Sequence, residues 1–318
     1  VVVLTENTSN LISDRFNSCI DRSLNSIDAS METDFMPEIL ITVGGAVVSK
    51  RIKSFLRRTP LIAHIRIGLD FPEMDTYQQM THSVKAPAAK IFQGLNKIVK
   101  PSQGSTYFKR WKDIDLEAER KARMFETPHE ALVDFEVFRK FFDMLPEGSV
   151  VHLGNSSVIR YAQLFNSKKG CTFLANRGTS GIDGCMSTAI GYASKDQRLN
   201  VLLIGDVSFL YDINALQLRE LSPNLKIILI NNQGGGIFNI IEGSKDAPQR
   251  EKYFEAKHSR NGSVAAAFGW KYARINNRIQ LDNALKSLLF SHEINCLEVT
   301  TDDHLSPITL SDFFNFIK

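Results

Sequence analysis

Between residues 201 and 238 the chain reads VLLIGDVSFLYDINALQLRELSPNLKIILINNQGGGIF. The apolar run 201–204 stops at Gly205-Asp206, a helical pattern follows, and a second apolar run, 227–230, stops at Asn231-Asn232 and three glycines. Short apolar runs separated by a helix form a strand–helix–strand unit whose two strands run parallel. Both strands then finish at one edge, and in open parallel sheets ligands bind at that carboxyl edge. Asp206 at one strand end and Asn232 at the next place two oxygen donors side by side. The glycines behind them let backbone approach an ion or a phosphate closely. Such a set suits Mg²⁺ carrying phosphates.

The same alternation recurs along the chain. Residues 1–4 are strand-like, 11–24 helical in period, 39–43 a buried strand closed by Gly44-Gly45, 47–56 a helix, 60–67 a strand and 88–99 an amphipathic helix. Residues 104–125 are highly charged and read as an exposed connecting helix. Thr127-Pro128-His129-Glu130 combines a cap, a first-turn proline and a carboxylate three positions on, and is expected to open a helix running to 145. Strands follow at 150–153, ending in Gly154-Asn155-Ser156-Ser157, and at 172–175, ending in Asn176-Arg177-Gly178. Beyond 238, helices are expected at 263–268, 283–291 and 311–316, and strands at 271–274 and 296–300. The fold class is α/β, with two parallel-sheet, three-layer domains. The domains are expected at 1–103 and 127–318 with a connecting helix at 104–126, the second on the scale of six strands. A length of 318 residues accommodates both.

Charge and cysteine usage remove several function classes. Net charge is +3, from 38 basic and 35 acidic residues, with the basic ones dispersed, which argues against a nucleic-acid partner. The four cysteines show no metal-ligand spacing and read as buried thiols of a reducing, cytoplasmic compartment. No apolar run reaches the ~18 residues of a membrane span, and residues 1–30 do not read as a signal peptide. The chain begins mid-strand without methionine, as expected of a piece of something longer.

Candidate residues carry alternatives. Asp206 alone reads as a cap of the next helix. The matched strand ends and the glycine triplet turn that reading toward a ligand. Gly44-Gly45 reads as a tight turn. Arg160 is open between a surface charge and a site residue, and Lys50-Arg51 reads from sequence as a solvated helix face. Arg177, entering a glycine-rich turn directly from a strand, reads as a site residue. His152 lies inside an apolar strand and reads as a satisfied core histidine. No side chain reads as a general base.

Three segments carry a family resemblance: Gly205-Asp206-Val207-Ser208-Phe209-Leu210-Tyr211-Asp212, Asn176-Arg177-Gly178-Thr179-Ser180-Gly181-Ile182-Asp183-Gly184 and Asn231-Asn232-Gln233-Gly234-Gly235-Gly236-Ile237-Phe238. The Gly-Asp…Asn-Asn pattern resembles the metal and diphosphate motif of thiamine-diphosphate enzymes, with Val207 where that motif has glycine. Taken together, and with Thr5-Glu6-Asn7-Thr8-Ser9-Asn10 and Ser49-Lys50-Arg51, they resemble the 2-succinyl-5-enolpyruvyl-6-hydroxy-3-cyclohexene-1-carboxylate synthases of menaquinone biosynthesis. The resemblance runs from the first residue to the last. It implies a middle domain followed by a thiamine-diphosphate-binding domain. The pyrimidine-binding domain and its activating glutamate are expected before residue 1, so the chain alone is expected to be inactive.

The resemblance also implies residue roles. Asp206, Asn232 and the Gly234 carbonyl would hold Mg²⁺ or Mn²⁺. Gly205, Val207, Ser208, Gly235, Ile237 and Phe238 would complete the thiamine-diphosphate site. Ser156, Arg160, Arg177, Lys50 and Arg51 would contact substrate, with Ile237, Phe238 and Ile241 as its apolar wall. The implied enzyme is a transferase that decarboxylates 2-oxoglutarate and adds the succinyl carbanion to isochorismate. It would work as a cytoplasmic homodimer or homotetramer. Two dicarboxylate substrates call for several cations, and the arginine fork binds carboxylate in a two-pronged way. Two other readings stay open: another thiamine-diphosphate carboligase or decarboxylase of the acetolactate-synthase kind, and a non-catalytic binding chain that keeps the fold.

Overall fold

The computed structural model describes all residues except 100–103, 219–221, 242, 244–246 and 257–261, so the expected domain limit at 103 lies outside the described residues. The chain divides into two units. One comprises 1–9, 13–124 and 317–318, the other 10–12 and 125–316.

Unit 1 contains α1 (Ile20–Asn25), β1 (Ile39–Val43), α2 (Lys50–Arg58), β2 (Ala63–Ile67), β3 (His82–Val84), α3 (Ala88–Ile98) and α4 (Thr106–Met124). Its sheet is parallel, in the order β1-β2-β3. The start of α2 is set by Ser49, whose hydroxyl accepts the Ile52 amide at 3.0 Å. Several expectations change here: the strand expected at 1–4 is only an isolated bridge from Leu4 to Asn17, and the helix expected at 11–24 is confined to α1. β1 is an edge strand rather than a buried one, with Ile39, Ile41 and Val43 at 58%, 42% and 40% exposure on one face. The charged helix α4 forms, but its Trp111, Asp115 and Ala118 are buried. Trp111 meets Phe35 and Phe55 edge-on at ring distances of 5.4 and 6.4 Å, inside the unit's core.

Unit 2 contains α5 (Asp134–Met144), β4 (Val150–Leu153), α6 (Ser157–Ala162), β5 (Thr172–Leu174), α7 (Cys185–Ala193), β6 (Asn200–Gly205), α8 (Asp206–Tyr211) and β7 (Leu225–Asn231). It continues with α9 (Arg250–Tyr253), α10 (Val264–Ala267), β8 (Tyr272–Ile275), α11 (Arg278–Phe290), β9 (Cys296–Thr300) and α12 (Leu305–Ile317), the last within this unit as far as Phe316. The six strands are all parallel, in the order β5-β4-β6-β7-β9-β8, which bears out the α/β reading and the scale of the second sheet. β7 is buried along its whole length, as a central parallel strand covered on both faces must be.

Three helix starts differ from expectation: α11 begins at Arg278 rather than 283, α12 at Leu305 rather than 311, and α5 later than its capping pattern. α5 begins at Asp134, well after the capping pattern at Thr127, and no side chain caps it. Its first amide is instead satisfied at long range, by the Ser306 hydroxyl at 3.0 Å. A tertiary partner thus replaced the local cap. No described helix is long and apolar enough to cross a membrane.

Candidate functional site

The strand order of the second sheet reverses at β4. β5 follows β4 in sequence and lies on one side of it, while β6 lies on the other. Such a switch point opens a crevice at the carboxyl edge. The segments leaving β5, β4, β6 and β7 all emerge along that edge. Gly154 closes β4 tightly against β6. A Cβ there would stand 3.1 Å from the Leu203 carbonyl oxygen and 3.3 Å from Ile204 Cα.

At the end of β6, α8 begins with Asp206 itself, 4% exposed. Its Oδ1 accepts the Val207 amide at 2.8 Å. The register pairs Gly205 with Ile230, so Asp206 and Asn231-Asn232 leave neighbouring strands at nearly one level. Val207 lies inside a helix, where any side chain is accommodated, so glycine is not required at that place. Ser208 is buried and donates its hydroxyl to the Ile182 carbonyl, which ties α8 to the segment after β5.

The turn after β7 explains the three glycines. Gln233, Gly234 and Gly235 take left-handed φ values of 64°, 108° and 104° in succession. This curls the chain back until the Gly236 amide reaches Asn232 Oδ1 at 3.3 Å. Gly236 needs no left-handed φ, but a Cβ on it would stand 2.6 Å from Asn232 Nδ2. Gly234 and Gly235 are therefore conformational, and Gly236 is a close approach. The Gly234 carbonyl accepts the Ala256 amide at 2.9 Å. Ile237 is buried, Phe238 and Ile241 are half-buried, and the Phe238 ring lies 5.5 Å from that of Phe254.

One carboxylate, one carboxamide and one carbonyl make an all-oxygen set that fits a hard divalent cation. Among the described residues no three His, Cys, Asp or Glu side chains gather into a metal cage. With a single carboxylate, a carboxamide and a carbonyl, the protein would leave positions on such a cation for phosphate oxygens, so the residues present fit a metal diphosphate.

At the end of β4, Ser156 is held at φ 73°, ψ −128°, directly between strand and helix. A residue with a Cβ pays for that conformation, and such strain clusters at functional sites. Arg160 follows one helical turn later, on the same side, half-buried. Asn155, 2% exposed, links the β4 and β5 ends. Its Nδ2 donates to the carbonyls of Asn176 and Gly181 at 2.8 and 2.6 Å. Its Oδ1 accepts from Arg177 at 2.8 Å. Lys50 and Arg51 are exposed on the first turn of α2, in unit 1. All the other expected site residues belong to unit 2.

Two residues of this edge were absent from the expected set. Asn155 sits inside a motif already singled out by its strand-end position. Asp134 carries no local signal. It is 2% exposed on α5, and its carboxylate accepts from Asn232 Nδ2 at 3.0 Å and from Thr301 Oγ1 at 2.5 Å. Burial pushes the Asp134 carboxyl up from its ordinary range, against the opposing pull of those hydrogen bonds.

Comparison with known proteins agrees with this geometry. Residues 153–299, from the end of β4 to the end of β9, match the family described as thiamine pyrophosphate enzyme, C-terminal TPP binding domain. The whole chain is similar to curated 2-succinyl-5-enolpyruvyl-6-hydroxy-3-cyclohexene-1-carboxylate synthases. It is 37% identical to that of Flavobacterium johnsoniae over 99% of this chain and 56% of the relative. It is 35% identical to that of Christiangramia forsetii over 100% of this chain and 56% of the relative. For Flavobacterium psychrophilum the identity is 37% over 99% of this chain and 57% of the relative. The chain thus spans a little over half the length of these relatives. By its fold, its strand-end motifs and these similarities, residues 153–299 belong to the C-terminal TPP-binding domains of thiamine pyrophosphate enzymes, and the whole chain is similar to the 2-succinyl-5-enolpyruvyl-6-hydroxy-3-cyclohexene-1-carboxylate synthases.

Proposed function

We propose that the carboxyl edge of the six-stranded sheet anchors thiamine diphosphate through Mg²⁺ or Mn²⁺. The protein would then be a transferase of menaquinone biosynthesis that decarboxylates 2-oxoglutarate and joins the remaining succinyl unit to isochorismate. The observation that carries the reading is the placement of Asp206 and Asn232 just beyond the ends of adjacent parallel strands, with the 233–236 turn folded back on Asn232.

When bound, thiamine diphosphate supplies the electron sink for loss of CO₂ from a 2-oxo acid. Asp206, Asn232 and the Gly234 carbonyl hold the cation, and Gly205, Val207, Ser208 and Gly235 border the diphosphate. Arg177 and Arg160 neutralise substrate carboxylates, with Arg177 pre-oriented by Asn155. Ser156 presents its hydroxyl from the strained turn between β4 and α6. Ile237, Phe238 and Ile241 keep water from the reacting end. Lys50 and Arg51 add cationic charge for a dicarboxylate. The assembly proposed is a homodimer or homotetramer in the cytoplasm.

Calorimetric titration of the intact protein with thiamine diphosphate, with and without Mg²⁺, tests the anchor. Binding should require the metal and should vanish in Asp206→Ala. Equal binding in the presence of a chelator, or by the Asp206→Ala variant, would sink the reading.

A further inference from the structure

The asparagine that ends β7 and the one that follows it are each backed by a buried carboxylate from a different element. Asn231 Nδ2 donates to Glu298 of β9 at 2.7 Å, and Asn232 Nδ2 donates to Asp134 of α5 at 3.0 Å. Glu298 is 0% exposed and also accepts the Tyr272 hydroxyl at 2.6 Å and the Gly262 amide at 2.5 Å. Asp134 accepts the Thr301 hydroxyl on its other oxygen. Each carboxyl group serves here as the acceptor of several donors, so each of these contacts takes the NH₂ end of the amide it faces. Each amide oxygen is thereby turned the other way, toward the glycine turn. Asn231 Oδ1 takes the Gln233 amide at 3.2 Å, and Asn232 Oδ1 takes the Gly236 amide at 3.3 Å.

For Asn231 this orders the turn. For Asn232 it decides chemistry. A carboxamide offers a cation one good end and one repelling end, and the two differ by a half-turn about the last side-chain bond. Asn232 has no intrinsic preference strong enough to choose, because such sp³–sp² torsions are broad. A fixed acceptor behind the NH₂ makes the choice before the metal arrives.

Resting on the metal-site reading above, we propose that Asp134 is a positioning residue: from the first turn of α5 it holds the Asn232 carboxamide oxygen-forward, as a preformed ligand for the divalent cation of a metal diphosphate. Partners behind metal ligands of this kind typically carry 10- to 100-fold in metal affinity. Asp134 is suited to the role because its own geometry is fixed from outside the site, by Thr301 at the end of β9 and by the Ser306 contact of its amide.

The test is a double-substitution cycle read by Mg²⁺ titration calorimetry in saturating thiamine diphosphate, on the intact protein, with thermal unfolding recorded beside it. Asp134→Ala should weaken Mg²⁺ about 10- to 100-fold. In an Asn232→Ala background the same change should cost about 2-fold or less, since there is no amide left to orient. Equal losses in the two backgrounds would mark a purely structural residue and overturn the proposal, as would unchanged affinity.

If Asp134→Ala does not fold, the reversed pair decides. Asp134→Asn combined with Asn232→Asp restores the hydrogen bond in the opposite sense and keeps an oxygen toward the cation. It should recover the affinity that Asp134→Asn alone loses; no recovery would overturn the proposal. Asp206→Ala separates the two levels. If it abolishes Mg²⁺-dependent binding while Asp134→Ala does not weaken it, only the positioning role falls. If it changes nothing, the metal site and the positioning role fall together.

Discussion

Asn155 Oδ1 receives the Arg177 guanidinium at 2.8 Å, while the same carboxamide ties down the carbonyls of Asn176 and Gly181. One buried side chain therefore sets both the path of the segment after β5 and the direction of its arginine. Asn155→Ala removes three hydrogen bonds of a buried side chain, two of them to half-buried carbonyls, and should cost about 1–3 kcal/mol of stability. The check is the urea midpoint of the unit 2 transition. A loss below about 0.5 kcal/mol would mean that the segment holds itself.

Arg177 separates the proposed substrates from those of a carboligase with fewer carboxylates. A charge-assisted pair is worth roughly 1.5–3 kcal/mol, so Arg177→Ala in the intact protein should lower kcat/KM for 2-oxoglutarate with isochorismate by about 10- to 100-fold. Arg177→Lys should restore little of it, since the two-pronged contact is lost. Activity unchanged by Arg177→Ala would favour the acetolactate-synthase kind of reading.

Ser156 pays for its left-handed backbone at φ 73°. Such strain costs on the order of 1–3 kcal/mol, against ~0.5–1 kcal/mol for the extra chain entropy of glycine. Ser156→Gly should therefore hold or raise stability by about 1 kcal/mol, while Ser156→Val lowers it. If the hydroxyl meets substrate as proposed, the glycine variant should combine normal or better thermal stability with a raised KM. A stability loss in Ser156→Gly would show the turn to be unstrained.

Gly205 and Gly236 make opposite predictions. A Cβ on Gly205 meets nothing within 4 Å, whereas one on Gly236 meets Asn232 Nδ2 at 2.6 Å, with Asp134 behind it. Gly236→Ala should cost about 1–3 kcal/mol through overpacking and also weaken Mg²⁺. Gly205→Ala should leave stability within about 0.5 kcal/mol. If it still weakens thiamine diphosphate in calorimetry, the diphosphate approaches backbone at that glycine; equal affinity would argue that it does not.

His152 gives the acid side of the stability profile. Burial lowers its pKa below the ordinary 6.5, against the Asn200 hydrogen bond at 2.9 Å, so the folded state favours the neutral ring. A histidine lowered on folding contributes its full stability above the unfolded pKa and loses it as pH falls through and below that value. The urea midpoint should drop below about pH 6.5, and His152→Gln should flatten that slope. An unchanged slope would place the acid sensitivity elsewhere.

The six-stranded sheet was legible because apolar runs ended abruptly in Gly-Asp, Asn-Asn and Asn-Arg, where a parallel strand must stop and a ligand edge begins. The same signals located Asp206, Asn232, Arg177 and Ser156 at strand ends. β1 was misread as buried because its five residues form a nearly unbroken apolar run, which does not say that one face will be left uncovered and that the strand will lie at an edge. The start of α5 was misread because Thr127 offered a cap by spacing, while the amide of Asp134 found Ser306, far away in sequence.

By itself, then, the amino-acid order determined the period of each element, the places where strands end, and the chemical types gathered there. Those are local properties, set by side-chain shape and by the backbone freedom of glycine. The tertiary structure decided which end of each amide points where. Asp134 reaches Asn232, and Glu298 reaches Asn231, across long sequence separations, through packing that no short-range pattern encodes. An asparagine is an ambiguous ligand until a buried neighbour resolves it, and that neighbour is supplied only by the fold.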